Sequence, residues 1–328
     1  GRLCTRGTGG VGAHYDPDRL RTPLIRVGKR GTEEWKSASW DEALDYVAGR
    51  MKKLAAEHGP ETVAVFKHGI SAFYIEHAFK AFGTPNVAAP SFAQCRGPRD
   101  VGFELTFGES IGSPERTDIR NARCLVLIGS HLGENMHNTQ VQEFAEALRR
   151  GAKLAVVDPR FSTAAGKADW YLPIKPGADI ALLMAWIHVI VNEDLYDREY
   201  VDRYATGFDK LKEAVKNDTP EWAAAITEIP ADTIRTVARE MAREKPNVLV
   251  HPGRRATWYG DDTQRSRAMA LLNALLGSWG RPGGFYFPGG ASIPKYPVPA
   301  YPKPQKAAAD GAGTKFPFAD EVLASGLC

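Results

Sequence analysis

Cys95 stands in the stretch PSFAQCRGPRD, residues 90–100, with Gln94, Arg96, Gly97, Pro98 and Arg99 around it. A structural cysteine normally sits among aliphatic residues, as Cys124 does in ARCLVLIGS. Neighbouring arginines favour thiolate over thiol, and a thiolate serves as nucleophile, redox partner or metal ligand. The first use wants a histidine with an Asn or Asp partner, and no such set lies nearby in the chain. The second wants a resolving cysteine, yet the other three cysteines are at 4, 124 and 328. Soft thiolate ligation of a redox metal is the use that remains.

Three further stretches join glycine to polar side chains at the ends of apolar runs. In LIGSHLGENMHN, Gly129 and Gly133 let backbone approach a ligand, and the helix that follows offers its N-terminus to phosphate. A plain strand-to-helix turn has the same look. Asp158 ends the next apolar run, where a carboxylate binds ribose hydroxyls in nucleotide folds. In IKPGADIALL, Pro176-Gly177 turns the chain and Asp179 follows. Asp179 is either a helix N-cap or an acceptor for the two adjacent N–H donors of guanine. In HPGRRATWYGDD, Arg254 and Arg255 leave a strand end, which fits an anionic ligand, while Asp261 or Asp262 offers one of them a surface partner. His68 lies at a strand end beside Gly69 and counts among the catalytic candidates. His77 falls inside a helix and reads as a packed or surface histidine.

Alternating helices and strands must position these residues. Ser39 with Glu42 three residues on forms a capping box before DEALDYVAGRMKKLAAEH, and Gly59 closes that helix. TVAVF reads as a short strand and AFYIEHAFKAFG as a helix. CLVLIG, NTQVQEFAEALRRG and KLAVVDP make a strand, helix and strand, hence parallel pairing with a right-handed crossover. WYLPI adds a strand before a long helix from Asp179. Helices broken at Gly207, Pro220 and Pro230 lead to the strand NVLVHPG and the helix DDTQRSRAMALLNALLG. The Pro- and Gly-rich tail from Arg281 reads as extended surface chain. Residue 1 is expected to enter a glycine-rich loop. The fold class is α/β, with a Rossmann-like parallel sheet from about residue 122 to 250 and a boundary near Asn121.

The 328 residues favour two domains, and 43% hydrophobic with 25% charged residues is the balance of a globular chain. The net charge of +3, without a basic run interleaved with aromatics, argues against a nucleic-acid partner. The nearest approach to a membrane span, DIALLMAWIHVIVN, falls short of the ~18 apolar residues needed and contains His188. Four cysteines without a CxxC pair give neither a disulfide framework nor a zinc site from this chain's cysteines alone. Both ends read as cut, so an export signal is not visible.

Taken in order, these segments resemble the molybdopterin oxidoreductase family, in its dimethyl sulfoxide reductase group. GRLCTRG resembles the family's last iron–sulfur cysteine with its basic residue and glycine. LIGSHLGENMHN, VVDPRFSTAAGKADWYLPIKPGADIALL and RAMALLNALLGSWGRPGG resemble its guanine-dinucleotide segments and the helix after its strand. FAQCRGPRD with HPGRRATWYGDDTQR is most like the polysulfide and thiosulfate reductase catalytic subunits. The resemblance implies the family's catalytic domains, with the Rossmann-like domain inserted in a second α/β domain. It implies the end of an iron–sulfur domain over 1–40 and an α/β domain carrying Cys95 over 41–121. The dinucleotide-binding domain would cover 122–250, a return to the first α/β domain 251–290, and an extended segment 291–328.

On the same resemblance Cys95 binds molybdenum within a cofactor of two molybdopterin guanine dinucleotides, and Cys4 is one ligand of a 4Fe–4S cluster. Arg6 lies between cluster and pterin. Gly129, Ser130, His131, Gly133, Glu134 and Asn135, with Asp158, Pro159 and Arg160, hold one dinucleotide. Gly177 and Asp179 complete that site, Gly253 lines the pterin, and Arg254 faces the substrate. The implied reaction is two-electron reduction of a sulfur–sulfur bond of polysulfide or thiosulfate. The implied partners are an iron–sulfur electron-transfer subunit and a quinol-oxidising membrane anchor subunit, at the outer face of the cytoplasmic membrane or in the periplasm. Arg96 stands where a formate dehydrogenase would carry histidine. Tetrathionate, arsenate and nitrate reduction stay open, as does a non-catalytic electron-transfer subunit like that of respiratory complex I. A nicotinamide dehydrogenase is disfavoured because GxGxxG is missing. The first three cluster cysteines and the C-terminal dinucleotide-binding domain are absent from the sequence.

Overall fold

A computed structural model describes residues 5–69, 72–89, 96–112, 115–130, 132, 140–253, 260–286 and 300. Residues 7–92 form one compact unit and residues 93–291 another.

Helix α1 (Thr5–His14) stands where the sequence led us to expect a glycine-rich loop. Residues 7–14 are all exposed, so no burial offsets the low helix propensity of its four glycines. Strands β1 (Leu24–Arg26) and β2 (Trp35–Ser37) pair antiparallel, with the Arg26 guanidinium 4.9 Å above the Trp35 ring. Helix α2 (Trp40–His58) starts as its cap dictates: Ser39 Oγ accepts from the Glu42 amide at 3.1 Å. The Glu42 carboxylate does not complete the capping box but turns to Lys36, 2.7 Å away. Strand β3 (Val65–Phe66), helix α3 (Ala72–Phe82) and strand β4 (Val87–Ala88) follow, and β3 pairs parallel with β4.

The second unit begins with α4 (Gly97–Phe107) and is built on a parallel sheet of β5 (Cys124–Ile128), β6 (Lys153–Val157), β7 (Trp170–Leu172) and β8 (Val248–His251). The spatial order is β7-β6-β5-β8, all parallel. Helix α5 (Val141–Arg149) lies between β5 and β6 in sequence, giving the expected strand–helix–strand unit. After β7 come α6 (Asp179–Asn192), α7 (Arg198–Tyr204), α8 (Phe208–Ala214), α9 (Pro220–Thr227) and α10 (Ala231–Arg243). Helix α11 (Asp262–Leu275) follows β8.

Strands β5 and β8 are buried at every residue, and β6 at all but its first. That is why they read as continuous apolar runs: a parallel sheet covered on both faces has no polar side to alternate with. Successive residues instead feed two cores. Cys124, Val126 and Ile128 join α6, α10 and α11 in one, and Leu125 and Leu127 join Phe103 of α4 and Phe144 of α5 in the other.

Two local devices hold this unit together. At the outer strand β8, the Asn273 side chain accepts from the Val250 amide at 3.1 Å and donates to the Val250 carbonyl at 3.0 Å. The side-chain amide thus acts as a neighbouring strand would. Where α4 meets α11, a methyl on Gly102 would stand 2.7 Å from the Arg267 nitrogen and 2.8 Å from the Thr263 oxygen, so only glycine allows this approach.

The sequence reading expected breaks near residues 121 and 250. The unit of residues 93–291 runs across both, because β8 pairs with β5 and α11 packs on α4. Among the described residues no helix is long and apolar enough to cross a membrane.

Candidate ligand crevice at the sheet's carboxyl edge

The strand order places β6 and β7 on one side of β5 and β8 on the other. From β5 the chain turns to β6 on one side and later returns as β8 on the other, so the strand order switches at β5. The crevice outside the carboxyl ends of β5 and β8 is where open α/β sheets collect ligands. Gly129 follows β5 with φ +57° and Gly253 follows β8 with φ +63°. A methyl on Gly253 would stand 3.9 Å from both the Ile128 carbonyl oxygen and the Ser130 Cβ. The two turns are therefore neighbours, and the left-handed backbone rather than lack of room calls for glycine.

Polar groups gather at this edge. Ser130 and Asp158 are buried, and Asp158 Oδ1 accepts from the Arg160 amide at 2.8 Å in the turn after β6. Pro159 and Arg160 are exposed. His251 is fully buried, with Nδ1 3.1 Å from the Gly253 amide. Gly177 lies exposed in the turn before α6 with φ +85°.

Asp179 answers one of the open questions. The N-cap of α6 is Ala178, and no side chain caps that helix. The Asp179 carboxylate, 12% exposed, instead lies 3.2 Å from Arg265 Nε in an ion pair. The N-cap reading of Asp179 is thus corrected, and among the described residues its carboxylate pairs with Arg265, which also reaches the end of β5.

Two arginines that the sequence reading did not place at this edge support it. Arg265, 6% exposed, donates from Nη2 to the Ile128 carbonyl at 3.2 Å, bracing the turn after β5. Arg99 is 4% exposed and donates to the Gly253 carbonyl at 2.8 Å and the Gly112 carbonyl at 2.7 Å. It also binds Asp100 and Glu115, both buried. Arg99 and Arg96 were expected to stabilise the Cys95 thiolate. Arg99 is committed to these carboxylates and carbonyls, and Arg96 lies 3.5 Å from Asp100 Oδ2. A signal for Arg265 existed in the sequence: it falls on the stripe Asp262, Arg265, Ser266, Met269, Leu272 and Asn273 that α11 buries.

Several expected residues lie outside the described residues: Cys4, Cys95, His131, Gly133, Glu134, Asn135, Arg254 and Arg255. The backbone of Arg6 is within α1, but its side chain is also outside them. His68 is exposed after β3 in the unit of residues 7–92, and His77 packs edge-on to Phe73 at 4.1 Å. Among the described residues no three His, Cys, Asp or Glu side chains come together as metal ligands. Cys124 is wholly buried, and burial pushes its thiol well above the ordinary range.

A parallel sheet with paired glycine turns and a buried carboxylate at its carboxyl edge is a frame open to a ligand there. The sequence match makes the class definite: residues 19–319 match the molybdopterin oxidoreductase family, and the chain belongs to it. It is 39% identical over 293 residues to the thiosulfate reductase molybdopterin-containing subunit PhsA of Salmonella typhimurium, covering 89% of this chain and 38% of that protein. It is 33% identical over 324 residues to the dimethyl sulfoxide reductase DmsA of Haemophilus influenzae, covering 86% of this chain and 39% of that one. Among solved structures it resembles acetylene hydratase from Pelobacter acetylenicus. There the TM-score is 0.71 and the identity 32%, over 85% of this chain and 38% of the other. The chain therefore spans about two fifths of the length of these relatives.

The family implies a molybdenum–molybdopterin cofactor. The described residues fit an organic ligand at this edge, because Gly129 and Gly253 open the backbone and Asp179 presents a carboxylate paired with Arg265, which also reaches the end of β5. The metal-bearing part would fall to residues outside those described.

Proposed function

We propose that this chain is part of the catalytic subunit of a molybdenum oxidoreductase that reduces sulfur–sulfur bonds of polysulfide or thiosulfate. The observation that carries the substrate class is the 39% identity to a thiosulfate reductase subunit over nearly the whole chain. The crevice at the ends of β5 and β8 supports the cofactor reading, as two molybdopterin guanine dinucleotides of which one lies along Gly129 to Asn135.

In this reading Cys95 ligates molybdenum and Cys4 is one ligand of a 4Fe–4S cluster, with Arg6 between cluster and pterin. The bound cofactor supplies the two-electron redox chemistry. This chain's residues orient and stabilise. Asp158 meets ribose, Asp179 accepts the paired N–H donors of guanine, and Gly177 and Gly253 let backbone close on the ligand. Arg254 neutralises the anionic sulfur chain as charge moves onto the departing sulfur. His68 is a further catalytic candidate. The partners are an iron–sulfur subunit and a quinol-oxidising membrane anchor, at the outer face of the cytoplasmic membrane.

The test is metal and product analysis of the intact complex offered polysulfide, thiosulfate and tetrathionate with a reductant. Molybdenum in the protein, with sulfide released from polysulfide or thiosulfate, is the expected result. Turnover of tetrathionate alone would move the substrate assignment, and lack of molybdenum would overturn it. The likeness to an acetylene hydratase favours a second reading, in which the same scaffold hydrates a carbon–carbon triple bond. Hydration consumes no electrons, so acetaldehyde formed from acetylene without net oxidation of the reductant would establish that reading instead.

A further inference from the structure

Arg265 poses a question that the fold alone does not answer. A guanidinium on the buried stripe of α11 gives up its hydration, and such a cation persists only where good partners replace water. Its partners come from two different elements: the Ile128 carbonyl at the end of β5, and Asp179 at the start of α6. Asp179 does not need that contact to begin its helix, since Ala178 is the N-cap. The pair is therefore a link between the two sides of the crevice, and we propose that Arg265 is the positioning residue that sets the plane of the Asp179 carboxylate for base recognition. The proposal rests on the reading of Asp179 as a guanine acceptor.

The geometry follows from the groups. An ionised carboxylate offers about four acceptor positions on two oxygens. Arg265 Nε lies 3.2 Å from Oδ1 in an ion pair, and the acceptor positions beyond that contact match in number the fork of two donors that guanine's N1–H and 2-amino group present. A carboxylate free to rotate would lose that parallel alignment. The guanidinium, whose Nη2 donates to the Ile128 carbonyl, is placed to restrict that rotation through the ion pair. Lysine carries the same charge as a single point and lacks the planar fork that faces two partners at once.

The test titrates cofactor-free full-length protein with GMP and with IMP, which lacks the 2-amino group. The wild type is expected to prefer GMP by about 10- to 100-fold, the worth of one hydrogen bond to a charged group. Arg265→Lys and Arg265→Met should reduce that preference to about twofold or less, mostly by weakening GMP. Adding Asp179→Asn to Arg265→Met should cost little more, since the two act as a unit. Variants that weaken both nucleotides equally, preference intact, would make Arg265 a scaffold residue and overturn the proposal. The lysine variant, which keeps the buried charge, decides the matter if the methionine variant does not fold. A wild type without preference, or one whose preference survives Asp179→Asn, overturns the guanine reading itself and is recognisable before any Arg265 variant is made.

Discussion

Buried polar side chains at the carboxyl edge include a cluster held by charge. Arg99 is shared by Asp100 and Glu115 between α4 and the turn after β8, so removing Arg99 takes from two buried carboxylates the cation they share. Cys124 is the opposite case, a thiol enclosed at the start of β5. Because burial raises its pKa well above the ordinary range, it should resist alkylation by iodoacetamide at pH 8 in the native protein. Peptide mass spectrometry should find Cys124 unmodified before denaturation and labelled after it; native labelling would contradict the burial. The sequence distinguished Cys124 from Cys95 by neighbours alone. It left Asp179 ambiguous because a helix-opening aspartate looks the same whether it caps its own helix or reaches a partner 86 positions away. Only the fold brings Arg265 to it.

Elements were legible wherever local chemistry and burial agree. Ser39 and Gly59 bracket α2, and the unbroken apolar runs of β5, β6 and β8 announce strands covered on both faces. Helix α1 was missed because four glycines in ten residues argue against helix. Contact between α4 and α11 was also hidden, since a glycine required by another helix's backbone leaves no mark of its own. Gly102→Ala should therefore cost about 1–3 kcal/mol in urea unfolding, as overpacking against immovable backbone does. Leu105→Ala, exposed on the same helix, should change stability by no more than about 0.5 kcal/mol. Equal effects from the two would refute the close packing.

At the scale of the molecule, the α/β class and the parallel sheet could be read from periodicity, whereas the limits of the compact units could not. Those limits depend on which distant elements touch, as β8 with β5 and α11 with α4. Acid stability belongs to this scale too. Burial works against charge on Asp169, but the Leu154 amide and Lys153 outweigh it and hold its carboxyl below the ordinary value. Arg239's hydrogen bonds do the same for Glu193, joining α6 to α10. Carboxyls lowered in the folded state stabilise it fully above their unfolded pKa of about 4, and that stability disappears as pH falls through the lower folded values. The urea midpoint should exceed that of Asp169→Asn at pH 7, and the gap should narrow progressively below about pH 4. A gap independent of pH would remove the linkage.

The amide of Asn273 has a further effect at the flank of the sheet. With the Val250 amide and carbonyl already engaged, a foreign peptide cannot zip onto the middle of that four-residue strand by β-augmentation. Backbone pairing at Val250 is thereby closed to a second chain, and a neighbour that docks at that point must do so through side chains.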